Sequence, residues 1–224
     1  VAAGTKWEKG DVVITSDREH NSNLVPWLKL KEKGVELRVV PSRRDNTFDL
    51  EAYENACSNA GKKLRMVSLS HVGNIDGVEI PVYEAGKIAH DFDATIHVDG
   101  AQSAPHIPID IEDLGCDFFS FSIHKMLGPT GVGALWGKEE ILSTLEPICA
   151  GGGTVSSANS STYSLRTVPE RLEGGLGNYA GICGTEAALD LLSQYNMRDF
   201  ASQEIRVNEI ITAGIKHLPE VEII

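Results

Sequence analysis

The sequence predicts an α/β fold with three layers: a mainly parallel sheet between helices on both faces, and one strand running antiparallel. Three observations carry this. Short β-branched or aromatic runs alternate with helix-period segments along most of the chain, the pattern of repeated strand–helix–strand units. The 224 residues, 42% hydrophobic, suffice for a sizeable core, and 22 glycines suit many tight strand-to-helix turns. The connection from Ile123 to Val132 is too short for a helical crossover, so the strand after it must turn back.

In chain order, the strand-like runs are Asp11–Thr15, Val35–Val40, Arg65–Ser70, Thr95–Val98, Phe118–Ile123 and Val132–Trp136. Helix-like segments occupy Leu24–Lys33, Leu50–Asn59, Tyr83–His90, Tyr179–Gln194 and Phe200–Leu218. Their apolar residues recur at helical spacing, as in Leu24, Leu28 and Leu30 or Ile205, Ile210, Ile211 and Ile215, and so give each an apolar face. From about Cys149 to Gly177 the pattern breaks into Gly- and Ser-rich chain, read as active-site or interface loops. Ala2, Ala3 and Gly4 look like a helix end, and Val221–Ile224 like the start of a strand. The expected organisation is a large domain over 1–218, incomplete at its N-terminus, with 219–224 opening a C-terminal domain.

Composition narrows the function. A formal net charge of −12 and a pI near 5.0, with basic residues scattered, argue against nucleic acid, whose phosphates this surface would repel. No run approaches the roughly eighteen apolar residues of a membrane span, and the opening residues lack the pattern of a secretory signal. Cys57, Cys116, Cys149 and Cys183 are dispersed and form no CxxC pair. That speaks against structural zinc and a disulfide framework, and for a reducing, cytoplasmic setting.

The chemistry concentrates between His97 and Gly133. HVDGAQSAP (97–105) ends a β-branched run on Asp99, and FSIHKMLGPTGVG (121–133) ends another on Ser122, His124 and Lys125. Ligands of open parallel sheets sit beyond the carboxyl ends of the strands. Four polar clusters fall there: Glu19–His20, His71–Asn74, Asp99–Gln102 and Ser122–Lys125. A fifth, Arg171–Asn178, comes from the irregular region. An amine and an acid on two buried strand ends suit a pyridine aldehyde cofactor. The lysine makes the Schiff base, and the acid keeps the ring nitrogen protonated as an electron sink.

Each residue also has a plainer use. Lys125, partly withdrawn from water, has an amine available for imine formation, though a lysine in a turn is often simply a surface residue. Asp99, as a buried anion, needs a cation, but an acid before Gly100 can also cap a helix. His20 can stack on a flat ring or stand at a helix N-terminus. Gln102 can reach a ring hydroxyl or merely begin a helix. Asn74 can donate to a cofactor oxygen or a substrate carboxylate, or form a turn. Ser122 and His124 are candidate phosphate donors. A rival set, His97, Asp99, His106 and His124 as metal ligands, leaves Lys125 without a role.

These motifs resemble the class V, fold-type I pyridoxal 5'-phosphate (PLP) enzymes, most closely the cysteine desulfurase and selenocysteine lyase group. The likeness runs from GDVVITSDREHNSN (10–23) through RLEGGLGN (171–178) to the helix ending at Leu218. It implies the large cofactor-binding domain of that fold, with Lys125 and His20 catalytic. Lys125 would form the Schiff base and shuttle a proton, Asp99 would pair with the pyridine nitrogen, and His20 would stack on the ring. Gln102 and Asn74 would address the ring oxygen and substrate, with Ser122 and His124 at the phosphate.

The resemblance further implies an amino-acid substrate, cysteine above all, which leaves as alanine while an enzyme cysteine takes the sulfur. A homodimer and a sulfur-acceptor protein go with it; no metal is expected. Leu176 stands where the family usually has a threonine reaching a neighbouring subunit's phosphate. The family's glycine–threonine phosphate turn would precede Val1, and its catalytic cysteine and carboxylate-binding arginine would follow Ile224. The same core fits an aminotransferase or kynureninase-like lyase of the class, or a non-catalytic fragment that only folds or assembles.

Overall fold

The computed structural model describes residues 1–223. Its main sheet is made of β1 (Val12–Ser16), β2 (Glu36–Val40), β3 (Leu64–Ser70), β4 (Thr95–Asp99), β5 (Phe118–Ser122) and β6 (Gly133–Gly137). The spatial order is β2-β1-β3-β4-β5-β6. All neighbours are parallel except β5 and β6, which pair antiparallel as the short connection requires. The crossovers are α1 (Asn21–Lys29), α2 (Leu50–Ala60) and α3 (Val82–Asp91), with the short helices α4 (Ser103–His106) and α5 (Ile111–Leu114) between β4 and β5. Then follow α6 (Glu139–Leu142), a hairpin of β7 (Val155–Ala158) and β8 (Tyr163–Leu165), α7 (Tyr179–Leu192) and α8 (Met197–Ile215).

Every predicted strand is present, with each boundary within one residue of its expected place. Two helices, α1 and α8, start three residues early, because caps rather than apolar periodicity set their starts. The His20 imidazole accepts from Ser22 N and opens α1 three residues before Leu24, and Leu30–Lys33 continues as a 3-10 turn. Asn196 accepts from Arg198 N and starts α8 at Met197. The β7–β8 hairpin lies inside the stretch expected to be loop. Its strands, VSSA and YSL, are too short for an apolar face to signal them, and Asn159 Oδ1 closes the turn on Ser161 N and Thr162 N. Residues 2–5 form a turn in which Gly4 N and Thr5 N both donate to Val1 O. Residues 221–223 adopt no strand, and Ile224 lies outside the described residues.

Alternation along the strands divides the core in two. One face carries Val12, Ile14, Val67, Leu69, Ile96, Val98 and Phe119, packed on Tyr53, Cys57, Ala85 and Ala89 of α2 and α3. The other carries Val13, Met66 and Phe118 at its lower end, packed on Trp27 of α1 and Leu30 beyond it. Towards the carboxyl ends this second face changes character. The next positions inward are Thr15, Ser68, Ser70, His97, Asp99, Ser120 and Ser122. The site is built on that change.

Candidate active site

Parallel register lines the polar strand ends up side by side. Ser68 pairs with His97, Ser70 with Asp99, and Asp99 with Ser120. The chain leaving β4 is pinned here, since Gly100 N donates to Ser120 O at 2.8 Å and His71 N donates to Asp99 O at 2.9 Å. Gly100 cannot be replaced without movement, because a Cβ there would fall 1.9 Å from the Phe119 ring.

A cavity of about 330 Å³ sits over these ends. Its lining includes all seven residues singled out in the sequence: His20, Asn74, Asp99, Gln102, Ser122, His124 and Lys125. Asp99 ends β4, half-buried. Its Oδ1 accepts from Ala101 N at 3.0 Å, so the capping use is real, while Oδ2 has no hydrogen-bond partner among the described residues. Lys125 ends a 3-10 turn (Ile123–Lys125) directly after β5. That turn is held from both sides: Met126 N and Gly128 N donate to Ile123 O at 2.8 and 3.1 Å, and Ile123 N donates to Val132 O at 3.2 Å. Leu127, the next residue but one, sits at φ 61°, a left-handed conformation unusual for leucine and typical of over-determined loops at sites.

His20 is exposed. Its Nδ1 accepts from Ser22 N at 3.2 Å, so its plainer use as a cap and its place in the cavity coexist. Among the described residues, the side chains of Asn74, Gln102, Ser122, His124 and Lys125 form no internal hydrogen bonds or ion pairs. Polar groups converging on one concavity, with their bonding capacity unspent, are the mark of a ligand site.

Beneath the cavity lies a hydrogen-bonded network that the sequence did not show, although Glu19 and His97 stood out in it singly. The half-buried Glu19 carboxylate accepts from Ser16 Oγ (2.6 Å), Asn23 Nδ2 (2.6 Å), Ser70 Oγ (2.7 Å) and Ser70 N (3.1 Å). Burial pushes its carboxyl above the ordinary value in spite of these bonds. It ties β1, α1 and β3 together immediately before His20. His97 bridges Ser68 and Ser120 at 2.8 and 2.9 Å, and burial pushes its pKa down to about 3. The available signal was a period-two repeat of polar residues at three strand ends: Ser68 with Ser70, His97 with Asp99, Ser120 with Ser122.

One expected cluster does not reach the site, and the rival metal-ligand set does not come together. Arg171–Asn178 stays outside the cavity: Arg171 Nη1 donates to Ser143 O, Leu176 is exposed, and Asn178 caps α7 by accepting from Gly181 N. The metal-ligand set does not assemble either. His106 faces Glu204 of α8 in a neighbouring cavity, and both ring nitrogens of His97 are engaged by hydroxyls. Among the described residues no group of three His, Cys, Asp or Glu side chains could hold a metal ion.

The Aminotransferase class-V family model matches residues 1–224. A probable cysteine desulfurase of Halalkalibacterium halodurans is 38% identical over 215 residues, covering 96% of this chain and 52% of that protein. The apo structure of a cysteine desulfurase from Thermococcus onnurineus superposes with a TM-score of 0.91 at 34% identity, over 97% of this chain and 54% of that one. A mutant of C-DES with glycine covalently linked to its PLP cofactor gives 0.86 at 25% identity, over 98% and 59%. The chain thus spans about half the length of the curated relatives it matches. A sheet that delivers an amine and a carboxylate to one cavity, and a family match along its entire length, lead to one conclusion: this chain belongs to the class-V aminotransferase family.

Proposed function

We propose that this chain is the cofactor-binding part of a PLP enzyme that removes sulfur from cysteine, releasing alanine and leaving the sulfur as a persulfide on an enzyme cysteine. The observation that carries it is the shared cavity of Lys125 and Asp99, with polar side chains that have no partners inside the protein. That donor set fits PLP: an amine for the aldehyde, a free carboxylate oxygen for the ring nitrogen, and hydroxyl and imidazole groups for the phosphate. Lys125 would attach to the aldehyde, Asp99 would hold the pyridine nitrogen, His20 would lie against the ring, and Ser122 and His124 would hold the phosphate. Gln102 and Asn74 would address the ring oxygen and the substrate. When bound, PLP supplies an electron sink for charge developing on the substrate α-carbon.

The residues of the chain supply the rest. The Lys125 amine takes and returns a proton at the substrate carbon, and its tightly bonded turn keeps it within reach. In balance, the substrate C–S bond breaks, an S–S bond forms to the enzyme sulfur, and the carbon left behind gains the thiol's proton. None of the four cysteines here lines the cavity. Cys57 and Cys116 are buried, and burial pushes both thiols up to about 11, away from nucleophilic use. The persulfide cysteine is therefore assigned to the part of the relatives that this chain does not cover. A homodimer in a reducing cytoplasm, with a sulfur-acceptor protein, completes the reading; exposed Ile182 and Leu189 on α7 and Ile210 on α8 support a covered surface.

The test is product analysis on the full-length protein supplied with cysteine and a thiol reductant. Alanine and sulfide in equal amounts are expected. A keto acid would identify an aminotransferase instead, and no turnover of cysteine would contradict the proposal.

A further inference from the structure

Beneath the cavity a buried chain of polar side chains crosses β3, β4 and β5, and its protons can be placed in only one way. Trp27 Nε1–H is a donor with no accepting capacity, and it faces Asn23 Oδ1 at 3.3 Å. That orients the Asn23 amide, whose Nδ2 donates to Glu19 Oε2 at 2.6 Å. Ser68 Oγ lies 2.6 Å from the same Asn23 oxygen, which only accepts, so the single Ser68 proton goes there. The Ser68 oxygen must then accept from His97 Nδ1 at 2.8 Å, and Nδ1 carries a proton. The ring is buried, no carboxylate touches either nitrogen, and burial pushes its pKa down to about 3, so it is neutral and Nε2 is a bare acceptor. Ser120 Oγ, 2.9 Å away, donates its one proton to Nε2. What Ser120 has left to offer the cavity is lone pairs, beside Asp99 in register.

We propose that His97 is a positioning residue that turns the Ser120 hydroxyl proton inward, so that Ser120 and Asp99 form an acceptor-only edge of the cavity. That edge selects ligands presenting N–H or ammonium donors and disfavours ligands presenting an acceptor. The ligand half of this proposal rests on the PLP reading of the site; the proton placement does not. A hydroxyl left free to rotate would serve donor and acceptor alike, so the buried network converts an ambivalent group into a selective one.

Two measurements decide it. In the full-length protein without ligand, long-range nitrogen–proton NMR of the His97 ring should show a protonated Nδ1 and a bare Nε2 at neutral pH. A protonated Nε2 overturns the proposal. The second compares His97→Gln, whose amide oxygen reaches the place of Nε2, with His97→Asn, which reaches only that of Nδ1. Both lose the ring, so a merely structural role weakens both alike. Affinity for PLP, read by equilibrium dialysis, should fall about tenfold in His97→Asn and in Ser120→Ala, while His97→Gln recovers most of it. Equal losses in the Gln and Asn variants overturn the proposal. If the wild type takes up no PLP, the functional reading fails by itself, and the ring tautomer still decides the assignment of His97.

Discussion

The two faces of the central sheet are made of alternate residues of the same strands, yet they do different work. The face against α2 and α3 is apolar from end to end, from Val12 and Ile14 through Val67 and Leu69 to Ile96, Val98 and Phe119. The face against α1 starts the same way with Val13, Met66 and Phe118, then turns to serines, a histidine and an aspartate where the strands end. The difference shows how a strand of five residues can serve both stability and chemistry. Successive side chains point oppositely, so one residue holds the layer together while the next enters the cavity. Phe119 and Ser120 divide the tasks in this way.

The comparison can be broken from either side, and the largest effect belongs to the apolar face. Phe119→Ala should cost about 3–5 kcal/mol of stability in chemical denaturation, because the ring is buried between core and Gly100. A loss under 1 kcal/mol would show that this face is not the main stabiliser. Next comes the polar face: Asp99→Asn should lower cysteine turnover in the full-length protein about 10²–10³-fold. Its denaturation midpoint should stay near that of the wild type. A large fall in stability with activity kept would reverse the division between faces.

Gly100→Ala acts where the faces meet, and should cost about 1–3 kcal/mol, since its Cβ falls 1.9 Å from the Phe119 ring. A neutral result in denaturation would mean that the Phe119 ring yields easily. The smallest effect lies at the far end of β5. Burial acts to raise the Asp117 carboxyl, but hydrogen bonds from Lys138, His90 and Ile96 N outweigh it and leave it below 3.8. A carboxyl lowered on folding adds stability above its unfolded value, and that stability is lost as pH falls through the folded one. Stability should therefore drop in acid below 3.8, and Asp117→Asn should flatten that part of the curve; an unchanged acid limb would remove Asp117 from the account.

Much of this was legible in the sequence because the informative signals were local. Apolar runs between turn residues located all six strands of the sheet, and the short step from Ile123 to Val132 foretold the antiparallel edge. Polar residues clustered just beyond the apolar runs marked the cavity residues. What stayed hidden depended on register. Ser68, His97 and Ser120 lie 29 and 23 residues apart, and only the parallel pairing of β3, β4 and β5 makes them one hydrogen-bonded row. Small hydroxyls within β-branched runs read as solvent-side positions until a neighbouring strand is placed beside them. The β7–β8 hairpin escaped for another reason, since strands of four and three residues, VSSA and YSL, are too short for an alternation to register. Arg171–Asn178 misled because its polarity resembles that of a site, while its bonds go to loop carbonyls and a helix cap.

The central claim is that Lys125 and Asp99 face one bound heterocycle. Incubating the full-length protein with PLP, reducing it with borohydride and mapping the added mass by peptide sequencing tests this most directly. The label is predicted on Lys125, with loss of the visible band on reduction and no label in Lys125→Ala. A label on another lysine such as Lys138, or none in the wild type, would contradict the account.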